Sequence, residues 1–239
     1  MLIAATPAGA QTQAQTDAQP PPPAWTGSFG AGLSLTRGNS DTSNVNLSYD
    51  AKWDPADHFT FASKGLWLRG SRDGELTANR LSLESRVDRK LDDRTSLFGQ
   101  VQYARDRFRQ VDYLVSPTAG VSHLLVATAV TKLAVNLSVG GVWEKNTGLS
   151  VEADGALNAG QQFKHQISET AEFTQNLTAL CKIGEFDDSL YTLGAGIAAS
   201  ITSRTQLKVE AIDTYKSKPT AAGVRKNDVS MLVSFVFKF

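Results

Sequence analysis

The chain has 239 residues, with 24 basic and 24 acidic side chains and a formal net charge of zero. That balance argues against a nucleic-acid binder, which carries a basic excess. A single cysteine, Cys181, excludes an intramolecular disulfide and a cysteine-based metal cluster, and no apolar run is long enough for a membrane-spanning helix.

Residues 1–10 read as the tail of a signal peptide. Ala8-Gly9-Ala10 has the small-x-small form of a signal-peptidase site, although the apolar part is short and no positive residue precedes it. Residues 11–23 are Gln, Thr and Ala followed by a proline run from Pro20 to Pro23. Such a segment buries too little apolar surface to order itself, so a disordered tail is expected. The folded domain is expected over 24–239.

From Trp25 onward one pattern recurs. Trp25, Phe29, Ala31, Leu33 and Leu35 interleave with Thr26, Ser28, Gly30, Gly32 and Ser34. After a turn at Gly38-Asn39-Ser40-Asp41, Val45, Leu47, Tyr49, Ala51 and Trp53 alternate with Asn46, Ser48, Asp50 and Lys52. Successive side chains of a strand point to opposite faces, so each stretch is a strand with one apolar face. Phe59, Phe61, Gly65 and Trp67 lead a third segment. In the fourth, Leu81, Leu83 and Val87 oppose Arg80, Glu84, Arg86 and Asp88. In the fifth, Leu97, Val101 and Tyr103 oppose Gln100, Gln102 and Asp106. Weaker members lie near 112–125, 150–167 and 169–183. Clear ones follow Leu133, Tyr191 and Leu207. The last runs from Asp228 to Phe239, with Val229, Met231, Val233, Phe235, Phe237 and Phe239 on one parity.

About twelve segments and no helical period predict an all-β fold, an antiparallel up-and-down transmembrane β-barrel of twelve strands, with ten as the alternative. A soluble sandwich is the competing architecture. Aromatic placement favours the barrel. Trp25, Trp53, Phe59, Phe163 and Phe239 fall toward one end, and Trp67, Tyr103, Trp143, Tyr191 and Tyr215 toward the other, as two interfacial girdles would. Short turns are expected at 54–57, 91–94, 126–129 and 201–204. Longer loops are expected at 70–78, 144–150, 184–188 and 216–227.

Even-numbered positions would line the lumen. Arg80, Glu84, Arg86, Asp88 and Asp106 sit on neighbouring strands and could form a salt-bridge ladder, with Lys208 and Glu210 as further lining charges. Buried charges must pair or stay wet, so the ladder reads either as structural neutralisation or as a constriction that selects a permeant. The pairs Gly30/Gly32 and Gly194/Gly196 lack the third glycine and following helix of a nucleotide loop. His58, His123 and His165 have no metal-ligand spacing and no serine-nucleophile motif near them, and Cys181 reads as an outward apolar filler. No catalytic residue, metal or cofactor is therefore assigned.

The stretches Ser34–Asn44, Thr77–Arg80, Phe98–Phe108, Ser116–Gly120 and the terminal Phe-Val-Phe-Lys-Phe resemble the YdiY-like family. Its members are described as salt-induced outer-membrane proteins of Gram-negative bacteria. The resemblance implies an outer-membrane barrel over about 24–239, with no established biochemical activity and no catalytic residues to transfer. Phe237 and Phe239 are similar to the C-terminal insertion signal of outer-membrane proteins, which implies the barrel-assembly machinery as a transient partner. Outer-membrane lipid is the standing partner, and an oligomeric partner is not indicated. The expected role is structural or weakly conducting, linked to salt or osmotic stress through the resemblance. The alternatives are a small-solute channel with a charged constriction and, third, a barrel hydrolase.

Overall fold

The computed structural model describes residues 25–37, 42–55, 58–72, 75–219 and 224–239. The signal-peptide reading, the proline-rich tail and the turn at Gly38–Asp41 lie outside them. Twelve strands follow in order: β1 Trp25–Arg37, β2 Thr42–Trp53, β3 Phe59–Arg72, β4 Glu75–Lys90, β5 Thr95–Asp106, β6 Val111–Ala127, β7 Thr131–Asn146, β8 Val151–Gln166, β9 Ala171–Lys182, β10 Ser189–Ser200, β11 Thr205–Lys216 and β12 Asn227–Lys238. A short 3-10 turn, Arg107–Arg109, separates β5 from β6. Each strand pairs antiparallel with its neighbours in sequence, and β1 pairs with β12 to close the barrel. Strand lengths run from 12 residues in β2 to 17 in β6. These exceed the roughly 9–11 residues needed to cross a bilayer.

The register explains why the sequence alternates so uniformly. Leu33 is opposite Val45, Leu47 opposite Trp67, Leu83 opposite Tyr103, and Val209 opposite Val233. Odd residues pair with odd and even with even around the whole barrel, apart from four register shifts near strand ends. Odd residues face outward. Leu33 is 66% exposed and Phe235 64%, whereas the even residues Leu232 and Ser234 on β12 are buried. The outward face is the apolar one, as in a barrel surrounded by lipid. Three of its polar groups near mid-strand pair with one another: Tyr49 Oη lies 3.0 Å from Ser63 Oγ, which lies 3.2 Å from Ser85 Oγ.

The chain ends and the turns after β2, β4, β6, β8 and β10 lie at one end of the barrel, here the turn end. The opposite, loop end carries the connections after β3, β5, β7, β9 and β11. Aromatic contacts mark both. Trp25 meets Phe61, Phe29 stacks on Phe239, and Phe163 meets Phe173 at the turn end. Tyr191 meets Tyr215 at the loop end. One expected loop is corrected: most of 70–78 continues the β3–β4 ladder past a bulge at Gly70/Ser71, because cross-strand pairing is retained there. The break implied between the segments 150–167 and 169–183 is a short turn at 167–170, held by Ile167 N–H donating to Ala171 O at 2.9 Å.

The closing seam depends on a glycine. Gly32 on β1 is in register with Asn46 on β2 and Ser234 on β12. Ser234 Oγ donates to Asn46 Oδ1 at 3.0 Å, over the glycine and across the intervening strand. A Cβ on Gly32 would sit 1.8 Å from the Val233 carbonyl oxygen and 2.6 Å from Ser234 Cα, so only hydrogen fits.

Candidate functional site

The interior of the barrel is the site. Its wall is the even parity, so every lining charge anticipated from sequence does project inward. A cavity of about 550 Å³ lies within it, bordered among others by Asp50, Lys64, Arg80, Glu84, Lys208 and Glu210. A second, of about 440 Å³, opens toward the turn end beside Lys52, Asp54, Arg86, Asp88 and Lys90.

The expected ladder is not continuous. Arg80 and Asp106 are register partners, as anticipated, but they do not form an ion pair. Asp106 turns back to cap the 3-10 turn, its Oδ1 accepting from Phe108 N–H at 3.1 Å and Arg109 N–H at 3.2 Å. A carboxylate is well suited to those two free amides. Arg80 instead reaches across the barrel from β4 to Thr214 on β11, at 3.3 Å from both terminal nitrogens.

The remaining charges form separate pairs along the wall. Arg86 donates to Asp88 on its own strand at 2.6 and 2.8 Å, and its guanidinium lies 3.7 Å above the Phe98 ring. Glu84 pairs with Lys64 on the adjacent strand at 2.9 Å and accepts from Gln102 at 3.3 Å. Lys208 pairs with Glu210 at 2.9 Å on one strand. Lys164 and Glu172 pair between β8 and β9. At the turn end Asp54 bridges Lys52 at 2.9 Å and Lys90 at 3.0 Å. Those two ammonium groups hold its carboxyl down to about 2.

The densest cluster lies at the loop end and involves residues not anticipated as site residues. Glu144 on β7 is 2% exposed and accepts from both Lys182 on β9 at 3.1 Å and Lys216 on β11 at 3.0 Å. Asp188, just before β10, meets the same two lysines at 2.7 and 3.0 Å. Glu152 on β8 adds a further contact to Lys182 at 3.1 Å. Burial alone would raise the Asp188 carboxyl, but Lys182 and Lys216 outweigh it and leave it below its ordinary value. Buried apolar side chains flank the cluster: Val142 is 1% exposed and Ala156 0%. Above it, Ser217 on the β11–β12 loop fastens the β9–β10 loop. Its hydroxyl is bonded to the carbonyls of Asp187 and Ser189, and Lys218 pairs with Asp187 at 2.6 Å. Glu144, Lys182 and Lys216 share the lumen parity, which was the signal that could have found them. They lay in or beside stretches read as loops.

The histidines sit elsewhere. His123 Nδ1 lies 3.1 Å from Thr95 Oγ1 and His165 Nδ1 lies 2.8 Å from Thr131 Oγ1, each a cross-strand pair on the outward face near the turn end. Among the described residues no group of His, Cys, Asp or Glu is arranged to hold a metal ion. Cys181 is outward and half-buried, opposite Leu157 and Ser189.

A family model described as "Protein of unknown function, DUF481" matches residues 29–239. No curated protein matches the chain. Several solved structures do. The NanC porin is 12% identical with a TM-score of 0.57, over 88% of this chain and 100% of that one. An outer-membrane channel from Pseudomonas putida F1 is 13% identical with a TM-score of 0.54, over 91% and 96%. The translocator domain of the autotransporter NalP from Neisseria meningitidis is 12% identical with a TM-score of 0.53, over 91% and 89%. At these identities the likeness is one of fold, and function must be argued from the lumen.

Proposed function

We propose that this chain, which belongs to the DUF481 family of proteins of unknown function, is a Gram-negative outer-membrane β-barrel that is closed or only weakly conducting at rest. The carrying observation is the contact of Lys216 on β11 with Glu144 on β7, four strands away around the wall. Side chains that bridge non-neighbouring strands occupy the lumen itself. Arg80 reaching Thr214 adds a second crossing. The apolar outward face and the fold likeness to porins and channels support the membrane location. A link to salt or osmotic stress is supported by the family resemblance alone.

The test is single-channel recording of the folded protein in a planar bilayer. The wild type is expected to show no steps or small ones. Glu144→Ala combined with Lys216→Ala removes the crossing without stranding a charge, and steps should rise severalfold. Large, steady wild-type steps, or a double variant that stays silent while folded and inserted, would sink this reading.

A second reading, the small-solute channel, is favoured by the lining of the central cavity. Lys64–Glu84 and Lys208–Glu210 present fixed dipoles of mixed sign there, which suit a small polar solute over a simple anion or cation. Arg86→Ala would change ion preference under that reading only if Arg86 faces the permeant. Its attachment to Asp88 and Phe98 argues for a wall role, and unchanged conductance is the expected result.

A further inference from the structure

The outward face carries almost no charge, and what it carries is uneven. Among the described side chains of the strands, the outward charges are Arg69, Arg89, Arg105, Lys145 and Asp213. None lies near mid-strand. Arg89, at the turn end, lies over the Phe59 ring, and Lys145 donates to the Leu149 carbonyl. Asp213 sits on β11, on another side of the barrel, opposite Leu193 and Val229. That leaves Arg69 on β3 and Arg105 on β5, both exposed, at the loop end of the same face. Exposed Arg107 continues the rim just beyond Arg105.

We infer that Arg69 and Arg105, extended by Arg107, form a binding site for the phosphate groups of an anionic lipid in the leaflet that surrounds the loop end. Four observations converge. The first is position: Arg69 follows Trp67 and Arg105 follows Tyr103 by two residues, one step beyond the aromatic row. Tryptophan and tyrosine settle at headgroup level, so the guanidinium groups lie where lipid phosphates lie. The second is spacing. Arg69 pairs with Asn79 and Arg105 with Leu81, so one strand separates the two arginines. With that two-residue stagger their backbones are about 12 Å apart at the usual strand spacing and rise, close enough for two long side chains to converge on one headgroup. The third is chemistry. A guanidinium fork matches phosphate oxygens bidentately, which an ammonium cannot do. The fourth is that the acids described nearby are engaged elsewhere. Asp106 is spent on the 3-10 turn, and Asp112 at the head of β6 accepts from the Thr147 hydroxyl at 2.8 Å. Among the described residues neither Arg69 nor Arg105 has an ion-pair partner. A soluble anion would have to enter a lipid-lined surface, whereas a lipid phosphate is already there. The inference rests on the membrane reading above.

Trp67 supplies a reporter beside the site. Trp25, Trp53 and Trp143 are replaced by Phe and the protein is reconstituted into phosphatidylcholine vesicles. Quenching of Trp67 by brominated phosphatidic acid is then compared with quenching by brominated phosphatidylcholine at equal mole fraction. Severalfold stronger quenching by the anionic lipid is expected. Arg69→Gln with Arg105→Gln should bring the two lipids to parity, and Arg89→Gln at the turn end should not. If the double variant fails to fold, each single change should still reduce the preference. Equal quenching by both lipids, or a preference that survives loss of both arginines, overturns the inference while leaving the barrel reading intact. Failure to enter phosphatidylcholine vesicles at all would instead overturn the membrane reading.

Discussion

At the loop end Lys216 reaches from β11 to Glu144 on β7, while nearer the turn end Lys64 on β3 meets Glu84 on the adjacent β4. Both are Lys–Glu pairs on the lumen parity at about 3 Å. The first pair is 11% and 3% exposed, and the second 50% and 20%. Chemistry is shared and surroundings are not. Taking charge out of water costs several kcal/mol per ion, and only multiple good contacts repay it. Glu144 therefore has two lysines and each lysine at least two carboxylates. Pairs in a wet wall need no such redundancy, and Lys208–Glu210 manages with one contact.

The sharpest way to break this comparison is to remove one partner from each end. Glu144→Gln leaves two buried lysines short of a carboxylate, and urea unfolding of the vesicle-inserted protein should show a loss of about 3–5 kcal/mol. Replacing Glu144 and Lys216 together by Met and Leu should cost far less, since no charge is left unpaired.

Acid and salt separate the ends next. Asp188 and Asp54 are both lowered in the folded state. A lowered carboxyl contributes its full stability above its unfolded value of about 3.9 and loses it as pH falls through the folded value. Neither end should weaken between pH 7 and about 5, and the Asp54 contribution should persist down toward about 2. Salt near 1 M shortens screening to about 3 Å, so it should return the partly exposed Asp54 toward its ordinary value and leave the buried Asp188 low. Carboxyl titration by NMR would read both, and equal salt responses would contradict the contrast. The smallest effect belongs to the wet wall: Lys64→Ala should cost about 0.2–1 kcal/mol in the same urea assay. A larger loss would mean that this wall is drier than its exposure indicates.

The strands were legible because burial on one face imposes a period of two, and the barrel holds that period through every hairpin. Val229 to Phe239 reads directly as a strand. Which charges would matter was less legible. Register placed Arg80 opposite Asp106, but their bond was lost to a local competitor, the free amides of a 3-10 turn. The depth of Glu144 depends on how far β7 continues beyond Trp143, and strand ends are set by pairing with distant partners. Asp188 lies in a loop, where no alternation reports its direction. The role of Gly32 needs two strands at once, β2 and β12, separated by most of the chain.

The shared parity of all twelve strands also constrains how such a chain can change length. Losing one residue in the middle of β7, such as Gly140, would renumber the faces beyond it, sending Trp143 toward the lumen and Glu144 toward lipid. Two-residue changes keep the faces in frame. Single-residue changes have natural homes only where pairing already slips, as at Gly70/Ser71 or Leu124/Val126, and in the turns themselves. Length variation in descendants of this sequence is therefore expected to come in steps of two within strands, and in steps of one only near their ends.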